Sequence, residues 1–298
     1  MNENNQELLS VRNLSVDFGD TADRFKAVID LSLEVHPGEI VGLIGESGSG
    51  KTTSAHAILG LIDALPGVCS GEAFFKGSSI LPDPSKYIRE KKGKIAKRFS
   101  AFQKKQKQLL RPLLGREIAA IFQEPKSALN PFISIKGHLL ESIARSEIQT
   151  PDPIKYGQEM LTQVGIVEGE KVWDQHPHQL SGGMAQRVMI AMALCCNPKL
   201  IIADEPTTAL DVTTQAKLLE FFLRLKKDRR LSMLLITHDI GVVRSVSDRI
   251  YVMLKGKIVE SGNTAEIIQD PKHRYTQGLL HSFLKIGERR IRGRKRAE

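Results

Sequence analysis

Cysteine is scarce in this sequence: Cys69, Cys195 and Cys196 are the only three in 298 residues. Their spacing suits neither a zinc site nor a disulfide framework, so they are expected as reduced thiols that behave as small core hydrophobes. Long apolar runs are also missing. Ile40 to Ile44 and Leu200 to Ala203 are strand-length, far short of the roughly 20 residues that cross a bilayer. The chain is therefore not expected to form a membrane pathway by itself. Met1 to Leu9 is polar and acidic, without the basic start and apolar core of a signal peptide. The expectation is a protein made and kept in the cytoplasm. No internal repeat is visible, which argues against solenoids and tandem arrays.

What is present is ordinary in bulk, with 41% hydrophobic and 26% charged residues, enough for one large α/β domain or one domain with an appendage. The charge, +9 overall, is unevenly distributed. From Lys86 to Arg116 twelve basic residues face Glu90 alone, and from Lys285 seven face only Glu288 and Glu298. The remainder is net acidic, so the basicity is local and suits patches facing an anionic partner. The segment 86–108 reads as a basic, weakly helical, solvated surface insertion.

Leu9 to Phe18 and Ala27 to His36 read as strands, the second ending at Pro37-Gly38-Glu39. Ile40 to Ile44 reads as a strand buried on both faces. It runs into Gly45-Glu46-Ser47-Gly48-Ser49-Gly50-Lys51-Thr52, a full GxxxxGK[ST] match, and then a helical stretch from Thr52 to Leu61, whose Thr53 is counted with the cofactor-binding residues. Strand, glycine loop and helix are the context that a phosphate cradle needs. Glycines let backbone N–H groups turn inward without a Cβ in the way, and the helix points its positive end at the same place. Lys51 supplies a charge for the outer phosphates and Thr52 a hydroxyl for Mg²⁺.

A second apolar strand, Leu200 to Ala203, ends in the paired carboxylates Asp204 and Glu205. Successive residues at a strand end point different ways, so the two can divide the work. Asp204 is expected to hold Mg²⁺, through water, and Glu205 to polarise an attacking water. Between these elements, mostly helical sequence over 125–174 leads to Leu180-Ser181-Gly182-Gly183-Met184. Here Ser181 caps a helix start and two glycines expose the backbone to an anion. Helical and strand patterns alternate beyond, over 213–227, 233–237 and 241–246, and a hairpin turns at Lys255-Gly256.

Leu180 to Met184, followed by Ala185-Gln186-Arg187, resembles the signature motif of the ABC ATPases. That resemblance covers about Leu9 to Leu280. It implies a P-loop, RecA-like core with an antiparallel β subdomain and an α-helical signature subdomain. By this reading the ATPase domain spans 1–262, with the helical part near 125–195, and a short extension with a basic tail follows over 263–298. It further implies an ATP-sandwich dimer in which Ser181, Gly182 and Gly183 contact the nucleotide held by the opposing subunit. Gln123, in Ile121-Phe122-Gln123-Glu124-Pro125, matches the Q-loop glutamine that contacts Mg²⁺ or water and senses the membrane partner. Asp211 matches the D-loop, and His238 matches the switch histidine that holds the γ-phosphate. Phe18 sits where the adenine-stacking aromatic lies, with Phe25 as its rival.

Within the family the sequence is most similar to the D-type ATPases of peptide and nickel importers. The similarity runs through Phe122 to Pro131, Arg187 to Leu194, Asp204 to Thr214 and the tail motif Arg274-Tyr275-Thr276-Gln277-Gly278-Leu279-Leu280. The implied partners are two membrane permeases, a second F-type ATPase and, through the permeases, an extracytoplasmic binding protein. The implied place is the cytoplasmic face of the membrane. Asn130, Pro131 and Phe132 would help form the groove for a permease helix. Ala185 stands where relatives more often have arginine, and the basic insertion is longer than the usual connection. Many relatives carry a cysteine cluster beyond the tail motif; with no cysteine after Cys196, no iron–sulfur cluster is expected. A soluble ABC ATPase acting on nucleic acid or ribosomes is the alternative, and the basic run is its only support. That run has few interleaved aromatics, which leaves electrostatic attraction alone, so no nucleic-acid partner is expected.

Overall fold

The computed structural model describes residues 7–19, 24–91, 94–146, 148–166 and 169–282. The basic tail from Lys285 lies outside the described residues. The chain opens with β1 (Leu9–Phe18) and β2 (Phe25–Val35), then the short β3 (Ile40–Ile44) and α1 (Lys51–Ile58). Next come β4 (Pro66–Phe75) and β5 (Ser78–Ser79), and a hairpin of β6 (Ile88–Lys91) and β7 (Lys94–Lys97) leads into α2 (Phe99–Leu110). The edge strand β8 (Ile118–Ile121) precedes a helical arm of α3 (Pro125–Ala128), α4 (Ile135–Arg145), α5 (Pro153–Gln163), α6 (Gly169–Trp173) and α7 (Gly182–Cys195). The chain then returns through β9 (Leu200–Asp204), α8 (Val212–Arg229), β10 (Ser232–Ile236) and α9 (Ile240–Val246). It closes with β11 (Arg249–Leu254), β12 (Lys257–Asn263), α10 (Thr264–Gln269) and a helix over 274–282.

Two main sheets organise these elements. A four-stranded antiparallel sheet has the order β2-β1-β4-β5, and a six-stranded sheet has the order β12-β11-β3-β10-β9-β8. In the larger sheet β8, β9, β10, β3 and β11 run parallel and β12 adds an antiparallel edge. Its central strands are buried along their whole length, which is why they read as unbroken apolar runs. Alternation assigns their two faces. Leu200 and Ile202 of β9 join α1 and the antiparallel sheet in one apolar cluster. Ile201 and Ala203 join the helical arm in another. The α/β architecture with an antiparallel sheet and a helical arm agrees with the sequence reading.

The insertion differs from its reading. It is not a solvated, weakly helical run throughout. Its first part pairs as a hairpin, Ile88 across from Lys97. The next part, α2, buries Phe102, Gln106 and Leu110. These recur every four residues, which places them on one helical face. The Gln106 amide donates to Ala57 O at 2.9 Å. Gly60, at φ +71, leaves room for Leu110, since a Cβ there would come within 2.8 Å of its methyl. Helix α2 is thus packed on the end of α1, with Lys104, Lys105 and Lys107 on its exposed side.

Candidate functional site

The glycine loop between β3 and α1 is closely built into the fold. Gly45, Gly48 and Gly50 all have positive φ. A Cβ on Gly45 would stand 2.2 Å from Met253 O, and one on Gly50 would stand 2.4 Å from Ala27 O. Gly50 caps α1 without a side-chain bond, so the first-turn N–H groups of the helix are left for an anion. Lys51 is buried, and its ammonium donates to Gly45 O and Glu46 O, both at 2.8 Å, and to Ser49 Oγ at 3.4 Å. Burial draws the lysine below its ordinary pKa, against the opposing pull of Glu205, Asp204 and Glu46.

Thr52, His56, Phe122, Gln123 and Asp204 line one cleft of about 390 Å³ beside the loop. The three residues expected to serve Mg²⁺ (Thr52, Gln123 and Asp204) are therefore brought together from α1, the segment after β8, and the end of β9. Asp204 points to this side because alternation in β9 puts it on the face of Leu200 and Ile202, toward α1. Burial raises its pKa, with the Thr52 hydroxyl, His56 and Lys51 pulling the other way. Its Oδ1 is buried without a hydrogen-bond partner. A buried, unpaired carboxylate oxygen beside a threonine hydroxyl and a glutamine amide is an oxygen-rich donor set that fits Mg²⁺, and the lysine and free helix start fit nucleotide phosphates.

Glu205 breaks the alternation. Its φ of +50 turns the chain out of β9, a conformation that persists in a non-glycine residue only when its surroundings hold it. Here its N–H donates to Ile236 O at 2.8 Å. Oε2 accepts from the hydroxyls of Thr208 (2.8 Å) and Thr237 (3.3 Å). Oε1 accepts from the His238 N–H at 3.1 Å and meets His238 Nδ1 at 2.6 Å. With Nδ1 turned to the carboxylate, Nε2 is the ring nitrogen left to meet a ligand. The Glu205 side chain is 9% exposed and that of His238 is 60% exposed. The pair thus joins a buried acceptor to a ring that reaches outward.

The signature turn is a separate place. Ser181 caps α7, its Oγ accepting the Met184 N–H at 3.2 Å, a bond typically worth about 1 kcal/mol to a helix. Ser181 and Gly182 are exposed. A Cβ on Gly183 would stand 2.9 Å from Ala209 O, so this turn is packed against the loop before Asp211. Asp211 caps α8, accepting from Thr214 N at 3.0 Å and Thr214 Oγ1 at 2.7 Å, which holds its pKa down. None of the residues lining the cleft at Thr52 and Asp204 comes from the signature turn.

Residues 28–208 match the family described as ABC transporter. The chain belongs to that family. Residues 259–298 match a second description, oligopeptide/dipeptide transporter, C-terminal region. The chain is 45% identical over 287 residues to the dipeptide transport ATP-binding protein DppD of Haemophilus influenzae, covering 96% of this chain and 80% of that one. It is 42% identical over 278 residues to the oligopeptide transport ATP-binding protein OppD of Bacillus subtilis, covering 93% and 72%. Among solved structures, the dimeric ATP-binding cassette MJ0796 bound to ADP and Pi matches with a TM-score of 0.67 over 86% of this chain and 98% of that one. At 24% identity that likeness speaks for the fold.

The remaining expected residues are placed as follows. Phe18, at the end of β1, is half-buried against the core and lies directly across from Phe25, which is 61% exposed. Glu46, Ser47 and Gly48 form the exposed crest of the glycine loop, Ser49 is buried, and Thr53 lies half-buried in the first turn of α1. Sequence reasoning missed Thr208 and Thr237, whose hydroxyls hold Glu205, and His56, which lines the cleft with Thr52 and Asp204. Thr208 lies in the turn three residues beyond Glu205, whereas Thr237 and His56 become visible only when β9, β10 and α1 are brought side by side.

Proposed function

We propose that this ABC ATPase is the ATP-hydrolysing subunit of a peptide importer and works at the cytoplasmic face of a membrane on two partner permeases supplied by an extracytoplasmic binding protein. The observation that carries the cargo class is the likeness to dipeptide and oligopeptide transport ATPases along 96% and 93% of the chain. The contact between Glu205 and His238 beside the phosphate loop supports the hydrolytic role.

In this reading Lys51 and the N–H groups of the loop hold the phosphates, and Thr52, Gln123 and Asp204 hold Mg²⁺, which supplies charge to neutralise the phosphate oxygens. Glu205 takes the proton of the attacking water, and His238 holds the terminal phosphate through its outward ring. Phe18 is assigned to the adenine, with Phe25 on the neighbouring rung. Ser181, Gly182, Gly183 and Asp211 serve the nucleotide of the opposing subunit, for which a second, F-type ATPase is proposed. The permease helix would enter a groove of about 380 Å³ between the nucleotide core and the arm, lined by Leu59, Leu61, Leu114, Phe122, Leu129 and Met192, among others. Asn130, Pro131 and Phe132 are not among its lining residues. Phe132 stands beyond it, 88% exposed.

Glu205→Gln should keep ATP binding and lose turnover by roughly 10²- to 10⁴-fold, the usual worth of a positioned base. Hydrolysis at the wild-type rate would remove Glu205 from this role. A detergent pull-down of that variant with ATP and Mg²⁺ should recover two polytopic permeases and a different ATPase. Recovery of ribosomes or nucleic acid without membrane proteins would overturn the importer reading.

A further inference from the structure

The helix over 274–282 lies against the nucleotide core in a defined way. The Glu260 carboxylate accepts the N–H groups of Lys272 (2.7 Å) and His273 (3.1 Å), and His273 Nδ1 accepts that of Tyr275 at 3.1 Å. These bonds fix the entry to the helix. Thr276 is fully buried, and Tyr275 and Leu279 pack on a cluster of Ile44, Val243, Ile250, Val252 and Ile267. Ile44 is the last residue of β3, the strand that delivers the phosphate loop. From this seat the Tyr275 hydroxyl accepts the N–H of Glu46 at 3.0 Å.

That N–H belongs to the same peptide unit as the Gly45 carbonyl, which accepts the Lys51 ammonium at 2.8 Å. A trans peptide is planar, with its N–H and C=O directed oppositely. Whatever grips one end therefore aims the other. Gly45 is the joint about which this plane would otherwise turn, since its φ of +154 lies where only glycine moves freely. The chain of contact runs from the C-terminal region through the Tyr275 hydroxyl and the 45–46 peptide to the lysine ammonium.

We propose that Tyr275 is a positioning residue for the phosphate loop: its hydroxyl latches the Gly45–Glu46 peptide so that Lys51 is presented to the nucleotide phosphates. The C-terminal region is thereby part of the nucleotide site, and a displacement of the 274–282 helix would be felt as weaker ATP binding. This inference rests on the reading of 45–52 as the phosphate loop.

The test uses the full chain, with ATP and Mg²⁺ as the probe, and compares wild type, Tyr275→Phe and Lys51→Ala. Tyr275→Phe keeps the ring and removes only the acceptor, so the melting temperature should stay at the wild-type value. The dissociation constant and KM for ATP should rise about three- to tenfold, the worth of one hydrogen bond, with kcat little changed. Amide exchange over 45–52 should quicken in Tyr275→Phe, while exchange in β9 and β10 should not. A Tyr275→Phe chain with wild-type ATP affinity and wild-type exchange over 45–52, in a series where Lys51→Ala has lost tight binding, overturns the latch and leaves the phosphate loop standing. Wild-type binding by Lys51→Ala would instead sink the phosphate-loop reading, and the latch with it.

Discussion

The phosphate loop and the signature turn are two versions of one device, a glycine-rich entry into a helix, and they are finished differently. At the phosphate loop the glycines are left-handed, Gly45 and Gly50 are walled in by backbone, and a lysine is folded inside. At the signature turn neither Gly182 nor Gly183 has a positive φ, the helix is capped by its own serine, and Ser181 and Gly182 face outward. The first is a cradle complete in one chain. The second offers an open helix start with no lysine folded into it, its neighbouring Arg187 donating to Gly183 O and Gly165 O, which suits a nucleotide whose charge is already held elsewhere. The difference teaches that the glycines do different work: conformation and close approach in one turn, access in the other.

The sharpest way to break this comparison is to add a methyl group to each. Gly50→Ala places a Cβ 2.4 Å from Ala27 O at φ +106, a strain of about 1–3 kcal/mol. It should lower the melting temperature and weaken ATP binding by roughly tenfold or more. Gly183→Ala sits in a helix that favours alanine, but its Cβ would press on Ala209 O at 2.9 Å. It should cost less stability than Gly50→Ala, leave the ATP affinity of the isolated chain near wild type, and cut turnover in the assembled transporter by about tenfold. Equal losses of ATP affinity in the two variants, measured by titration, would place both turns in one site and end the distinction.

A smaller effect sharpens the cradle side. Burial raises the pKa of Asp204, so ionising it costs the folded state. The cost is absent below the unfolded pKa and is paid in full once pH has risen through the raised, folded one. Asp204→Asn should therefore raise the melting temperature of the nucleotide-free protein at neutral pH. The gain should fade toward pH 4, and the further stabilisation by ATP and Mg²⁺ should be lost. A variant no more stable than wild type at pH 7 would deny that this carboxylate is held at a cost.

The smallest effect concerns the far end of the signature helix. Burial pushes the Cys195 thiol up to about 12 and the Cys196 thiol to about 11. At pH 8 neither should react with a thiol reagent in the native chain, while the half-buried Cys69 labels slowly. Prompt labelling of Cys195 would mean that α7 is not clamped in its core.

Much of this architecture could be read from the chain because local signals and tertiary roles coincide. The apolar runs of β3, β9 and β10 are strands buried on both faces, and the motif residues sit at their ends, where the sheet gathers them. Where pattern and packing part, the reading missed. The strand β4 contains Gly67, Ser70, Gly71 and Glu72 and lacks a clean alternation; it is a strand because β1 pairs with it over most of its length. The charge of the 86–108 segment concealed a stripe at Phe102, Gln106 and Leu110, although its four-residue spacing was there to be counted. The phosphate-loop and carboxylate motifs were legible as types and spacings. The grip of Thr237 on Glu205, and of Tyr275 on Glu46, joins elements far apart in sequence and leaves no local trace.

One apolar cluster runs unbroken from Leu139 and Ile143 of α4 and Leu161 of α5, through Val188 and Ala191 of α7, to Ile201 and Ala203 of β9 and Leu235 of β10. The arm thus shares its interior with the strand that carries Asp204 and leads into Glu205. In thermodynamic terms the two form one cooperative unit. Heating should melt α7 and β9 in a single transition, and the arm cut away from the sheet would have lost one wall of its core.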